Sequence, residues 1–448
     1  MIPEPWYTLA IVAASIAAVI FLVLRFKLQP FLVLLLVALV TGLAFGGEPQ
    51  AVIAAIRKGT GEALGFVAVV IGLGAVLGGL LEASGGVHAI AHRLLDWFGE
   101  KRVPWALTAV GIVVGVPLFF DVAFIILAPL LATLAIRAER RVTYFALPLL
   151  AGLMTMHALL PPHPGPVAVA ELIHTDYGLL AFYGLICGIP SALLAGPIFA
   201  KVFHGAPGFG DQAPPPMLDE GAPQTNPIGF GPALLAMLFP LALILIAAVA
   251  GQAMAAGPVK TFLLFLGHPF TALMLAALSV TGWLRVREGA PWETLSRIMT
   301  RALEPAGLMV LIIGAGAAYK EVLIESGAGQ QITALVTAAQ VSVPVFAFLL
   351  AAFVRVAQGS ATVAMVTAAG LAGPLITAAA LSPSRIALVT IAIGGGATVA
   401  SHVNDTGFWL VKQYLGLTEA QTFRSWTIGA TIAGLTSFGI ALLIWPFV

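Results

Sequence analysis

The stretch SHVNDTGFWLV (residues 401–411) places polar side chains where the chain is otherwise almost wholly apolar. No charged residue occurs between Ile386 and Ala400, and Phe408 to Val411 are apolar again. A carboxylate, an imidazole, an amide and hydroxyl groups at membrane depth each cost about 1 to several kcal/mol when they face lipid. We therefore expect this run to face a partner, a cavity or a ligand, and we interpret it as half of a substrate and ion site.

The composition is that of a polytopic membrane protein. Of the 448 residues, 60% are hydrophobic and 9% are charged, which is too little charge to cover the surface of a soluble globule. The formal net charge of +1 gives no reason to expect a nucleic-acid partner. The single cysteine, Cys187, excludes an internal disulfide and a cysteine-based metal cluster.

Apolar stretches of about 20 residues predict where the chain crosses the membrane as a helix. Two longer pieces, 142–172 and 384–412, each predict one crossing that proline or polar residues interrupt. Single crossings are predicted at about 6–24, 29–47, 63–84, 179–203, 229–253, 260–284, 304–326 and 425–447.

Two further pieces, 103–137 and 341–381, do not fit simple crossings. We interpret both as re-entrant helical hairpins, with tips at Gly115–Asp121 and Arg355–Thr362. Irregular backbone at membrane depth is tolerated only where protein or a cavity surrounds it. Both tips should therefore face the interior of the protein.

The basic residues predict the orientation in the membrane. Alternating the predicted crossings puts 15 Lys and Arg residues inside and 4 outside, which makes both termini periplasmic. The first apolar run, 6–24, has no basic residue before it and basic residues after it. This charge order is the reverse of a secretory signal, so we expect an uncleaved first span.

The chain aligns with itself at an offset of 242 residues, which lays IGLGA (71–75) on IGAGA (313–317) and superposes the hairpin tips and the interrupted crossings. Each half has an odd number of crossings, so the second half is inverted. Inverted repeats with broken helices at the midplane are typical of secondary transporters. We therefore predict an all-α fold of two such repeats, 1–203 and 229–448, joined by a cytoplasmic linker at 204–228.

Four elements should meet at the site: the two hairpin tips, the first interrupted crossing at HALLPPHPGP (157–166), and the run at 401–407. Prolines 161, 162 and 164 cannot lie in a continuous helix, and the break frees backbone groups that a ligand can satisfy. Small residues and hydroxyls at the second tip suit a carboxylate. The predicted substrate-binding residues are His157, His163, Gln358, Gly359, Ser360, Thr362, Ser401, His402, Asn404, Asp405 and Thr406.

Three charged residues leave alternatives open. Asp121, the only acid in the first hairpin, is either a proton-coupling residue or the cap of a half-helix. Asp405 is a second candidate for proton coupling, with binding of substrate hydroxyls or helix capping as its alternatives. Arg355 is a possible charge partner for a substrate carboxylate or for an internal acid. We predict no catalytic residue and no metal ligand.

The strings HALLPPHPGPVA (157–168), RVAQGSATVA (355–364) and SHVNDTGFWLVKQYLGLT (401–418) resemble the gluconate permease family, within the larger ion-transporter superfamily. The resemblance implies proton-coupled uptake of gluconate or a related sugar acid across the bacterial inner membrane. It implies no cofactor, with H⁺ preferred over Na⁺ as the co-transported ion. By similarity to the superfamily, we also expect a homodimer and an elevator-like movement of the site.

The resemblance leaves the substrate open among gluconate, idonate, fructuronate and D-serine. A sodium-coupled carrier is the alternative within transport, because carbonyl groups of a broken helix can hold Na⁺. A channel and an intramembrane enzyme are the alternatives from other classes, and the absence of an HExxH motif argues against the enzyme. The expected partners are a small anionic substrate, the lipid bilayer and a second copy of the chain.

Overall fold

The computed structural model describes residues 5–203, 228–327, 342–403 and 405–448. All regular elements in these ranges are helices and none is a β-strand, which confirms the predicted all-α membrane fold. Eight helices among the described residues are long and apolar enough to cross a membrane. The predicted linker, apart from its last residue, lies outside the described residues.

Proline in the first turn marks the start of many of these helices, because its missing N–H has no partner to lose there. The helices before the linker are α1 (Pro5–Phe26), α2 (Pro30–Ala44), α3 (Pro49–Ala83), α4 (Gly86–Phe98), α5 (Val103–Gly115), α6 (Phe120–Arg137), α7 (Val142–Leu159), α8 (Pro164–Ile173), α9 (Tyr177–Leu193) and α10 (Phe199–Phe203). Those after it are α11 (Phe230–Ala253), α12 (Pro258–Leu266), α13 (Pro269–Arg287), α14 (Trp292–Glu325), α15 (Val343–Gln358), α16 (Ala361–Ala378), α17 (Pro383–Thr398), α18 (Thr406–Tyr414), α19 (Glu419–Thr422) and α20 (Ile428–Ile444).

Four short breaks separate helices that follow one another closely: α5 from α6, α7 from α8, α15 from α16, and α17 from α18. The first and third breaks lie at the predicted hairpin tips, and the other two lie in the predicted interrupted crossings. At the third break, Gly359 adopts a φ of 86°, a left-handed conformation that glycine reaches without steric cost. That each hairpin enters and leaves the membrane on the same side stays a prediction.

The helix bounds repeat with the same offset as the sequence. Adding 242 to the bounds of α3 gives 291–325, and α14 spans 292–325. The same addition turns the bounds of α6 into 362–379, against 361–378 for α16. For α8 it gives 406–415, against 406–414 for α18.

Glycines allow the long helices α3 and α14 to pack side by side. A Cβ at Gly59 would come within 2.5 Å of the carbonyl oxygen of Ala317, so the two backbones are in direct contact. Close to this point, the hydroxyl of Thr60 donates a hydrogen bond to the carbonyl of Gly314 at 3.2 Å. Helix α8 packs against both members of this pair, and α16 packs against α14.

One predicted crossing is not a single continuous helix in the structure. The stretch 260–284 was expected to be a single helix, but the structure divides it into α12 and α13. Gly267 ends the first helix where a Cβ would lie 2.3 Å from the carbonyl oxygen of Leu243, and Pro269 begins the next. Only α13 is long enough for a crossing.

Candidate functional site

A cavity of about 410 Å³ lies where the four predicted elements meet, and we name it the Arg355 cavity. Side chains and backbone from both hairpin tips, from the end of α7 and from the start of α18 line it together. The lining residues are Phe119, Phe120, Asp121, Met154, His157, Ala158, Met309, Arg355, Gln358, Gly359, Ser360, Ala361, Thr362, Thr398, Asp405, Thr406, Gly407 and Trp426.

Three helices begin at this cavity. Helices α6, α16 and α18 start at Phe120, Ala361 and Thr406, and the first residues of each line the wall. The unpaired N–H groups and the positive dipole end of a helix N-terminus attract anions. Ser360 caps α16 by accepting from the N–H of Val363 at 3.4 Å. The arrangement therefore favours a negatively charged ligand.

An ion pair between Arg355 and Asp405 joins two of these elements. Nη2 of Arg355 lies 2.5 Å from Oδ2 of Asp405, and the side chains are only 4% and 13% exposed. Nη1 of Arg355 donates to the carbonyl of Gly359, and Oδ1 of Asp405 accepts from the N–H of Gly407 at 3.1 Å. Of the alternatives left open by the sequence, Arg355 pairs with an internal acid and Asp405 caps a helix.

Two side chains at the wall keep polar atoms without a partner. Nε of Arg355 and both carboxamide atoms of Gln358 are buried and make no hydrogen bond to any described residue. An unsatisfied buried polar group costs about 1–3 kcal/mol, so such groups are usually paired. A carboxylate or hydroxyl in the cavity can accept from Arg355 Nε and from the Gln358 amide, and a hydroxyl can donate to the Gln358 carbonyl.

Asp121 is the second residue of α6, and it is exposed along the cavity wall. Helix α6 begins without a side-chain cap, and no described residue forms a hydrogen bond or ion pair with Asp121. The capping alternative for Asp121 is therefore not observed. Its carboxyl group is open to protons and solutes in the cavity.

Ser401 does not line the cavity but binds Asp405, which does. The side chain is 1% exposed, and its Oγ donates to the carboxylate of Asp405 while it accepts from Nε1 of Trp426 at 2.6 Å. Asp405 thus has a hydroxyl donor as well as the guanidinium of Arg355. The three groups hold the start of α18 in one orientation.

The remaining residues of the polar run differ in position. Thr406 lines the cavity, whereas His402 turns away and donates from Nε2 to the carbonyl of Val356 at 3.1 Å. Asn404 lies outside the described residues. The structure therefore brings Asp405, Thr406 and Gly407 of this run to the cavity wall.

A histidine pair connects the cavity to the first hairpin tip. His163, 1% exposed, places Nε2 at 2.5 Å from the carbonyl oxygen of Gly115, which can only accept a hydrogen bond. Neutral His163 then accepts at Nδ1 from Nδ1–H of His157, 3.2 Å away. His157 lines the cavity and His163 does not, so His163 reaches it only through His157.

The apolar part of the cavity wall was not among the residues predicted from the sequence. The ring of Trp426 lies 5.2 Å from that of Phe120, and both line the cavity. Trp426 belongs to a π-helical turn, Phe423–Thr427, a local widening that often marks functional sites. No sequence pattern separates these residues from apolar side chains that face lipid. Phe119, Phe120, Ala158, Ala361 and Gly407 lie in the four predicted segments but were not among the predicted binding residues, whereas Met154, Met309, Thr398 and Trp426 lie outside those segments.

The chain matches the family model described as GntP family permease over residues 7–448. The chain belongs to the GntP permease family. It is 38% identical over 431 residues to the Gnt-II system L-idonate transporter of Escherichia coli (strain K12), covering 95% of this chain and 96% of that protein. It is also 38% identical over 444 residues to a gluconate permease of Pseudomonas aeruginosa, covering 98% and 97%. The permease is thus a membrane transporter and not an enzyme.

A solved structure shares the fold of the permease. The Alcanivorax borkumensis YdaH transporter matches it with a TM-score of 0.65, covering 94% of this chain and 99% of that chain. The sequences are 16% identical, so this likeness shows the fold alone.

Proposed function

We propose that the permease carries gluconate or a closely related sugar acid across the bacterial inner membrane together with a proton. The observation that carries the proposal is the meeting of three helix N-termini with unpartnered polar atoms of Arg355 and Gln358 at one cavity. Its volume, about 410 Å³, falls in the range of about 300–1,000 Å³ that is typical of small-molecule sites. Relatives named gluconate permease support this substrate class.

A sugar acid has two chemically different ends, and the cavity offers a different environment for each. The carboxylate would lie at the N-termini of α16 and α18, where it accepts from free N–H groups and from Nε of Arg355. The hydroxyl chain would then extend along Gln358, Thr362 and Thr406, which both donate and accept hydrogen bonds. Trp426 and Phe120 would cover the C–H faces of the chain.

The test of this proposal is uptake of labelled gluconate by vesicles that contain the purified permease. An inward proton gradient should raise both the initial rate and the final accumulation, and a protonophore should abolish that increase. A sodium gradient at fixed pH should have no effect. Saturable uptake at a rate that does not depend on the proton gradient would contradict proton coupling. Competition by idonate, fructuronate, lactate and D-serine against labelled gluconate ranks the substrates.

Replacing Asp121 with asparagine should abolish proton-driven accumulation and preserve exchange of gluconate across the vesicle membrane. The carboxyl group lines the cavity without a partner, so it can take up a proton when substrate binds and release it on the other side. Asparagine keeps the size and polarity of the side chain but cannot titrate. Counterflow of labelled against unlabelled gluconate measures exchange, and an Asp121→Asn permease that still concentrates gluconate would exclude Asp121 as the proton carrier.

The permease would be a homodimer with periplasmic termini, in which the hairpins and the interrupted helices move the cavity across the bilayer. The hairpins and the interrupted helices together bring most of the proposed binding groups, so one rigid displacement of these elements would carry the substrate with them.

A further inference from the structure

A second cavity, of about 450 Å³, lies beside the first, and we name it the Arg301 cavity. One wall is the glycine-rich part of α3, another is the start of α14, and the third is the break between α5 and α6. Its lining includes Gly78, Glu82, Ala83, Pro117, Phe119 and Arg301.

Phe119 borders both cavities and is the only described residue that their two linings share. It is the last residue before α6, and its half-buried ring lies 6.3 Å from the ring of His163. The neighbouring backbone rests on α3, since a Cβ at Gly78 would come within 3.2 Å of the carbonyl oxygen of Pro117. The residue that the two linings share therefore lies on a non-helical segment.

Arg301 is the positively charged residue of the second cavity's lining, and its guanidinium can attract an anion. It is exposed, and no described residue forms an ion pair with it. Glu82 is the other charged residue of the lining, so an anion would pass on the Arg301 side of the cavity. Arg301 also borders a shallow groove along the first turns of α14, between Trp292 and Glu304, which lies at the predicted cytoplasmic end of this helix.

We propose that the Arg301 cavity is a passage site for the transported carboxylate, and that Phe119 is the partition that closes it off from the Arg355 cavity. The inference rests on the proposed transport of a sugar acid. A carboxylate that leaves the three helix N-termini meets the guanidinium of Arg301 as its next positive group. Movement of one aromatic side chain then connects the site to the groove along α14.

The decisive comparison is between Phe119→Ala and Phe120→Ala, which remove the same atoms from adjacent residues. Only Phe119 lines both cavities, whereas Phe120 lines the Arg355 cavity alone. Vesicles are loaded with labelled gluconate and diluted without a proton gradient. Phe119→Ala should release gluconate several-fold faster than the wild type, at a rate that rises linearly with internal gluconate. Phe120→Ala should weaken uptake but show only the saturable efflux of a carrier.

Three results would contradict the proposal that the Arg301 cavity is a passage site. These are a Phe119→Ala permease that retains gluconate as the wild type does, an equal leak from both variants, and wild-type vesicles that take up no gluconate at all. The last result would remove the proposed function as well, whereas the first two would leave it intact.

A second measurement covers the case in which Phe119→Ala does not reconstitute. Ala83 lines only the Arg301 cavity, and Cys187 is the single, buried cysteine of the chain. An Ala83→Cys variant in a Cys187→Ala background is labelled with a membrane-impermeant methanethiosulfonate. Saturating gluconate should slow the labelling several-fold, and D-glucose, which lacks the carboxylate, should not. Labelling that gluconate leaves unchanged would show that the anion does not enter this cavity.

Discussion

Replacing Arg355 with methionine is expected to abolish gluconate uptake and to lower the unfolding temperature of the permease. The change leaves the 13% exposed carboxylate of Asp405 without its ion-pair partner, and the carbonyl of Gly359 without its donor. Removing one partner of a buried ion pair costs about 3–5 kcal/mol, because the other charge stays buried. It also removes Nε, the atom that we assign to the substrate carboxylate. Thermal unfolding in detergent and vesicle uptake measure the two effects.

Two further variants separate the structural role of Arg355 from its role in binding. Adding Asp405→Asn to Arg355→Met removes the orphaned charge and should recover much of the lost stability without restoring uptake. Arg385→Met is the matched control, since Arg385 lies in the same half and donates to the carbonyl of Val448 at 2.6 Å, away from the cavity. It should keep uptake. An Arg355→Met permease that transports as well as the Arg385→Met permease would contradict our assignment.

The helical fold could be predicted from the sequence because its causes are local. Apolar stretches set the helices, and proline, glycine and polar side chains set the breaks, as at Pro161 to Pro164 and at Gly359. The prediction failed at 260–284, where Gly267 ends a helix because it packs against the backbone of α11. That contact is tertiary, and hydropathy carries no information about it.

The site could be predicted only in part, because the orientation of a side chain at a helix break depends on contacts distant in sequence. Arg355 and Asp405 are 50 residues apart, and the sequence left their partners open. The same limit applies to His402, which bonds to the backbone of Val356 instead of lining the cavity. The sequence does not distinguish Phe119 from the other apolar residues of its segment. Its position in the linings of two cavities does.

Gly152→Ala is expected to destabilise the permease strongly, because the added Cβ would meet three backbone atoms of α5 within 2.8 Å. Helices α5 and α7 cross with their backbones in contact, and a Cβ at Gly152 would lie 2.7 Å from both the carbonyl oxygen of Thr108 and the amide nitrogen of Ile112. Backbone atoms cannot rotate out of the way as a side chain can, so the helices must separate. Overpacking of this kind costs about 1–3 kcal/mol, and occasionally more.

The displacement should reach the site, because α7 carries His157 to the wall of the Arg355 cavity. We therefore expect Gly152→Ala to lower both the unfolding temperature in detergent and the uptake of gluconate. Gly307→Ala in α14 is the matched control, since a Cβ there has no neighbour within 4 Å. Alanine is the better helix former by about 1 kcal/mol, so this variant should be as stable as the wild type or more so. Equal unfolding temperatures for the two variants would show that the α5 and α7 crossing tolerates a wider spacing than the structure indicates.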